Sequence, residues 1–119
     1  MSLIKILKEN IDKRKPLICK RIYDCKKNKL KSLEGCPTVV GGSFRCHYNK
    51  LKSLVGSPET VGGNFDCSDN KLTSLEGCPK EVRGDFWCIN NPKLPKEEIL
   101  KLKESGIVKG TIFSDYGNF

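Results

Sequence analysis

Apolar positions along this chain recur at one fixed interval. Tyr23, Phe44, Phe65 and Phe86 each stand two residues before Cys25, Cys46, Cys67 and Cys88. Three residues after each of those cysteines comes Asn28, Asn49, Asn70 or Asn91. Leu30, Leu51 and Leu72 follow, then Ser32, Ser53 and Ser74, then Leu33, Leu54 and Leu75. Gly35, Gly56 and Gly77, Pro37, Pro58 and Pro79, and Val40, Val61 and Val82 complete the unit. It reads F-x-C-x-x-N-x-L-x-S-L-x-G-x-P-x-x-V-x-G. So many matches in one register define an internal repeat, and a period of about 21 residues indicates a solenoid.

The order within the unit predicts its local structure. F-x-C alternates inward and outward, as a short strand does. Residues 22–25, 43–46, 64–67 and 85–88 should therefore be parallel neighbours in one sheet, about 4.8 Å apart. The asparagine then turns the chain, and its amide can bond backbone groups that otherwise lack partners. The Gly and Pro positions punctuate a return arm too short for a full helix, which predicts extended or 3₁₀ turns. Gly42, Gly63 and Gly84 precede each strand, where a positive φ or a close backbone approach is expected. One unit cannot bury its own apolar face, but stacked units can, in columns of Phe, Cys, Leu, Leu and Val.

The ends of an open solenoid need covering. Leu3, Ile4, Ile6, Leu7 and Ile11 recur at helical spacing, so residues 2–14 read as an amphipathic capping helix stopped by Pro16. Pro95, with Glu97 and Glu98 behind it, suits the start of a second helix, whose apolar face is Ile99, Leu100 and Leu102 and whose C-cap is Gly106. Residues 107–113 suit a short strand or an extended cap, and 114–119 carry no readable signal. The expected organisation is one domain. It has an N-terminal cap over 1–19, three full repeats and a partial one over 20–94, and a C-terminal cap over 95–119.

Seven cysteines with no C-x-x-C pair and a single histidine give little support to a structural metal or a disulfide framework. They read as reduced thiols, those in the repeat acting as small hydrophobes in the core. No continuous apolar stretch approaches the roughly 18 residues that span a bilayer, and no secretory pattern opens the chain. The expectation is a cytoplasmic protein without cofactor. The net charge of +8 is uneven: residues 1–31 hold eleven Lys or Arg against three Asp or Glu, and the remainder holds eleven of each. A basic end of this kind marks either an anionic partner or a solvated, solubilising segment.

Strand positions that do not point inward form rows on the concave face. Asp24, Arg45, Asp66 and Trp87 make one row. Lys26, His47, Ser68 and Ile89 make the next, and Lys27, Tyr48, Asp69 and Asn90 a third. The first row reads as an alternating charge ladder. Arg45, His47, Tyr48, Asp66, Asp69, Trp87 and Ile89 are the candidate partner-binding residues, because exposed Trp, Tyr and Arg are favoured anchors. Trp87 has a second reading, in which the C-terminal segment folds over it. Lys26, Lys27, Lys29, Lys31, Lys50 and Lys52 form an alternative basic site along the rim, joined by Lys71 in the column of Lys29 and Lys50. Catalysis finds no support: His47 has no paired acid and nucleophile at a recognised spacing, the inward Cys46 should be inert, and no phosphate loop or metal-hydrolase signature is present.

The unit resembles the leucine-rich-repeat family in its short bacterial form. Residues 68–79, SDNKLTSLEGCP, are similar to the repeat segment of IpaH-type secreted effectors, and the resemblance covers residues 20–94 of 119. Compact cysteine-bearing repeats of this sort are also similar to some in bacteriophage accessory proteins. Cysteine in place of an aliphatic strand residue, and a Gly-containing step before the Phe, depart from the usual pattern. The resemblance implies a recognition module without the ligase domain of those effectors, since the stretch from Pro95 to Phe119 is too short to hold one. The expected function is protein–protein interaction through the concave face, as an inhibitor or adaptor acting, for example, on a host protein. The alternative is nucleic-acid binding by the basic pole and Lys rim.

Overall fold

The computed structural model describes residues 17–119. The expected helix over 2–14 and its stop at Pro16 lie outside them. From residue 17 the chain winds as a parallel β-solenoid. Each coil contributes two short strands, one to each of two sheets. One sheet contains β1 (Ile18–Cys19), β3 (Val39–Val40), β5 (Thr60–Val61) and β7 (Glu81–Val82) in sequence order. The other contains β2 (Tyr23–Asp24), β4 (Phe44–Arg45), β6 (Phe65–Asp66) and β8 (Phe86–Trp87), again in order. Every pair among these eight is parallel, and each residue pairs with its equivalent one repeat later. The F-x-C strands therefore stack as the period requires. The return arm is extended as expected, but it also hydrogen-bonds into a second sheet. That sheet was hidden because its Val40, Val61 and Val82 column reads as a core position alone, and the residues before it, Val39, Thr60 and Glu81, share no chemistry.

The core follows the repeat. Phe44, Phe65 and Phe86 are fully buried, and with Tyr23 they stack at ring-centroid distances of 5.6, 5.2 and 5.1 Å. Stacked pairs of this kind add about 0.5–1.5 kcal/mol each beyond area burial. Leu33, Leu54 and Leu75, and Val40, Val61 and Val82, form parallel columns beside them. Cys46, Cys67 and Cys88 occupy the remaining column, each with its Sγ donating to a backbone carbonyl of the next turn.

The asparagines close the coils. Asn70 Nδ2 donates to the carbonyls of Cys46, Cys67 and Ser68, at 3.1, 3.1 and 3.2 Å, and its Oδ1 accepts from Leu51 N at 3.0 Å. Asn49 and Asn91 repeat this set one coil earlier and one later. Each amide thus ties its own turn to the preceding one. All three are buried.

Positive φ does not fall where the sequence placed it. Gly42, Gly63 and Gly84 serve the other expected purpose, close approach: a Cβ on Gly63 would stand 2.6 Å from Ser43 Oγ and 3.0 Å from Ser43 N. Within the repeats the positive-φ glycines are Gly35, Gly56 and Gly77, at φ of 92°, 93° and 82°. They sit in the turn after the Ser-Leu step.

The C-terminal segment continues the stack. α1 (Lys96–Ser105) begins one residue after Pro95, which holds the N-cap position, and ends at Gly106 in the left-handed conformation. Ile99 and Leu102 enter the core, and Glu98 Oε1 accepts from Leu75 N at 2.9 Å. Leu100, expected on the same face, points outward. β9 (Ile112–Ser114) then pairs parallel with β8, and β10 (Gly117–Asn118) folds back antiparallel on β9. The strand expected within 107–113 starts at Ile112, and the tail with no sequence signal, 114–119, forms the rest of this hairpin. Its Asp115 carboxylate accepts from Asn90 N at 2.7 Å and Asn91 N at 3.0 Å, standing at Asn91 N where Asn49 stands at Asn28 N.

Two outcomes follow. Asn70→Ala strands the buried Leu51 amide and removes one of two donors from the Cys46, Cys67 and Ser68 carbonyls, so urea unfolding should show a loss of about 1–3 kcal/mol, against almost none for Lys71→Ala. Burial drives the thiols of Cys46 and Cys67 well above their ordinary pKa and pushes Cys88 up to about 12. Iodoacetamide followed by peptide mass spectrometry should therefore label the partly exposed Cys19 and Cys78 in the native protein. Cys46 and Cys67 should react only as the protein unfolds.

Candidate functional site

The outward face of the larger sheet is built by the same register that builds the core. Ladder pairing sets Asp24 beside Arg45, Arg45 beside Asp66, and Asp66 beside Trp87. β9 adds Phe113 opposite Trp87, and the two rings stack at 3.9 Å. Phe113 escaped the sequence reading because the step from Trp87 to Phe113 is longer than the repeat. Gly110 was the available signal, standing two before Ile112 as Gly84 stands two before Phe86. Trp87 is half-buried, with Phe113 stacked on one face of its ring. The C-terminal segment thus covers it in part and extends the aromatic surface.

The charge ladder divides into two pairs. Arg45 Nη1 lies 3.9 Å from Asp24 Oδ2, and Lys26 Nζ lies 3.4 Å from the same oxygen. Desolvation pushes the Asp24 carboxyl up, but hydrogen bonds from Lys26 and the Lys26 and Arg45 charges outweigh it and hold it below the usual value. Asp66 turns instead to His47, whose Nδ1 stands 3.4 Å from Asp66 Oδ2. His47 therefore has an acid beside it, contrary to the sequence expectation. The acid comes from the following coil, a neighbour that linear spacing does not expose. Nδ1 is buried and makes no hydrogen bond despite that proximity. Ser68 stands next to His47 in its row, but its Oγ accepts from Ile89 N at 3.2 Å and no hydrogen bond joins the two side chains. The three do not form a nucleophile relay. Among the described residues, no group of three or more His, Cys, Asp or Glu is arranged to hold a metal ion.

The third row has an unforeseen property. Lys27, Tyr48, Asp69 and Asn90 all hold the left-handed conformation, with φ of 56°, 55°, 55° and 61°. Asp and Asn tolerate this region and other side chains do so poorly. Coils three and four thus carry suitable residues, whereas Tyr48 is strained. Its ring is 53% exposed, meets His47 edge-on at 5.6 Å, and lies 5.5 Å beneath Lys27 Nζ. Asp69 accepts from Asn90 Nδ2 at 2.6 Å, so its carboxylate is partly engaged. Ile89 is 37% exposed between Trp87 and this row.

All seven candidate binding residues share this one face. The alternative basic set is divided. Lys26 is paired with Asp24, and Lys27 covers Tyr48. Lys29, Lys31, Lys50 and Lys52 are exposed, without an ion pair to any described residue. Much of the basic N-terminal pole lies within residues 1–16, outside the described part.

The strain at Tyr48 makes a specific expectation. Tyr48→Asn should raise stability by about 1 kcal/mol in urea or thermal unfolding, because asparagine is at ease at φ of 55°. An unchanged or lower midpoint would show that the ring's contacts outweigh the backbone cost. Compared with known proteins, this chain matches no family model, no curated protein and no solved structure.

Proposed function

We propose that this chain is a cytosolic leucine-rich-repeat module that binds another protein through the outward face of its larger sheet, acting as an inhibitor or adaptor and not as an enzyme. The leucine-rich-repeat reading rests on the buried Asn column with its flanking Leu and Val columns. On that reading α1 and the β9–β10 hairpin serve as the C-terminal cap. The compact repeat is akin to that of secreted bacterial effectors or phage accessory proteins.

One observation carries the binding reading. Aligned inward positions keep the same residue from coil to coil, Tyr23 apart, while the outward strand positions of this face do not. The fold needs Phe, Cys, Asn, Leu and Val; it does not need Arg45, Tyr48, Trp87 or Ile89. These residues nevertheless sit together on a backbone fixed by hydrogen bonds on both sides, and one of them is held at a conformational cost. Binding residues are commonly presented in this way, and strain often collects at such sites. The Trp87–Phe113 pair, Ile89 and Tyr48 supply apolar and aromatic area, and Arg45, Asp66 and Asp69 supply a polar surround.

The test begins with affinity capture from the cells that make the protein, followed by titration of the recovered partner. Tyr48→Ala and Ile89→Asp remove exposed groups. Each should weaken the partner by at least about 2 kcal/mol, roughly thirtyfold, with the unfolding midpoint retained. Trp87→Ala should do the same, but needs the stability control because it also unstacks Phe113. A partner that binds the Tyr48→Ala and Ile89→Asp proteins as tightly as the parent does not use this face.

A further inference from the structure

A second surface, apart from the sheet face, lies where the asparagine turn leads into the return arm. Lys52, Lys71 and Lys93 line a groove of about 390 Å³ together with Asn70, Thr73 and Pro92. No carboxylate lines it. None of the three lysines makes an ion pair with a described residue. Lys93 enters the groove because the register breaks in the last coil. Pro92 stands where Lys29, Lys50 and Lys71 stand in the earlier coils. Lys93 precedes the buried Leu94, which takes the core position.

The groove is one end of a longer strip. Lys71 N donates to Leu51 O and Lys50 N to Leu30 O, so Lys29, Lys50 and Lys71 follow one another at the coil repeat, about 4.8 Å. Lys31 and Lys52 run beside them, also exposed and unpaired among the described residues. Like charges stacked this closely repel one another, and nothing in the fold of the described residues relieves them. A linear polyanion does so along the whole strip, whereas a compact anion reaches only one end. The strip contains lysine and no arginine, since Arg21, Arg45 and Arg83 stand elsewhere in the unit. Arginine forks pair with carboxylate and phosphate alike in a fixed geometry; lysine acts as a point charge, which suits electrostatic contact with a phosphate backbone that is not read base by base. Tyr48, half exposed beneath Lys27 at the upper edge of the strip, offers a flat ring on which a base can stack.

We infer that the lysine groove and strip bind the phosphodiester backbone of single-stranded nucleic acid, without reading its sequence. This surface borders the proposed protein-binding face and shares Tyr48 with it, but the lysine variants leave Tyr48, Trp87 and Ile89 in place, so either reading can fail alone. The backbone phosphates lie against Lys52, Lys71 and Lys93 and continue past Lys50, Lys31 and Lys29.

Fluorescence anisotropy of a labelled oligothymidylate of about 20 nucleotides tests this at about 50 and 200 mM salt. The variant is Lys52→Glu with Lys71→Glu and Lys93→Glu. The control, Lys80→Glu with Lys101→Glu and Lys109→Glu, makes the same change in net charge away from the strip. The strip variant should bind at least tenfold more weakly, with the control within about twofold of the parent. Replacing the same three lysines with glutamine should lower the slope of log affinity against log salt by about 2, from some 0.7 per phosphate contact. Circular dichroism monitors the fold, and the glutamine set serves if the charge-reversed one is unstable. Equal losses in both variant sets would overturn the proposal in favour of bulk charge. So would full competition by millimolar inorganic phosphate, or preference for phosphatidylserine vesicles over the oligonucleotide. No binding by the parent at low salt would overturn it outright.

Discussion

The buried asparagine amide is the interaction on which the rest of the solenoid depends. A coil this short leaves backbone groups inside the turn that water cannot reach. An unpaired buried amide or carbonyl costs about 1–3 kcal/mol, a large fraction of the total stability of a small domain. Asn49, Asn70 and Asn91 meet that demand in two coils at once, donating to the cysteine carbonyl of their own turn and of the one before. Since each amide needs the neighbouring coil at a fixed distance, it also sets the register of both sheets. The aromatic stack and the Leu and Val columns then fall into line, and glycine is required where adjacent coils press together.

A scaffold secured from within leaves its outer surface free to vary. The ladder is completed by backbone, so the side chains on its outward side carry little of the fold. Asp24, Arg45, Asp66 and Trp87 differ in charge and size from one coil to the next, yet they occupy equivalent sites. The exception is the left-handed row. There the backbone asks for Asn or Asp, receives them in Asp69 and Asn90, and does not in Lys27 and Tyr48. The edge of the sheet face is therefore where local preference and the residues present disagree most, and disagreement of this kind tends to mark sites kept for something other than folding.

Much of the architecture was legible because a period is a long-range statement made in local terms. The interval from Phe44 to Phe65 already specifies which strands touch, which is usually the hardest thing to read from a sequence. What repetition did not announce stayed hidden. The second sheet was missed because one repeating valine per coil marks a core position without marking a strand, and the backbone beside it pairs Val39 with Thr60 and Thr60 with Glu81. Phe113 and the final hairpin were missed because they join the ladder after a helix, out of register. The acid beside His47 was missed because Asp66 lies almost a full repeat away, a separation that means contact only once the coil is known. The face itself was legible as a list of positions, but its ion pairs, its strain and the Trp87–Phe113 stack depend on rotamers and on φ, which no pattern encodes.

Asp115 shows how such a ladder stops. It accepts Asn91 N, the amide that a further asparagine would face, and Asn90 N, whose counterparts in the earlier coils donate to backbone carbonyls, but a carboxylate has no donors with which to hold another turn's carbonyls. The terminus is thus written in a single side chain, while every internal step is interchangeable. Insertion of one more repeat unit between Asn49 and Asn70 would leave the amide network of each coil and the Asp115 terminus unchanged. It would lengthen the outward face by one strand and the lysine strip by one step. The reach of both surfaces is therefore counted in whole coils, so this architecture can change its span by duplication without redesigning its interior.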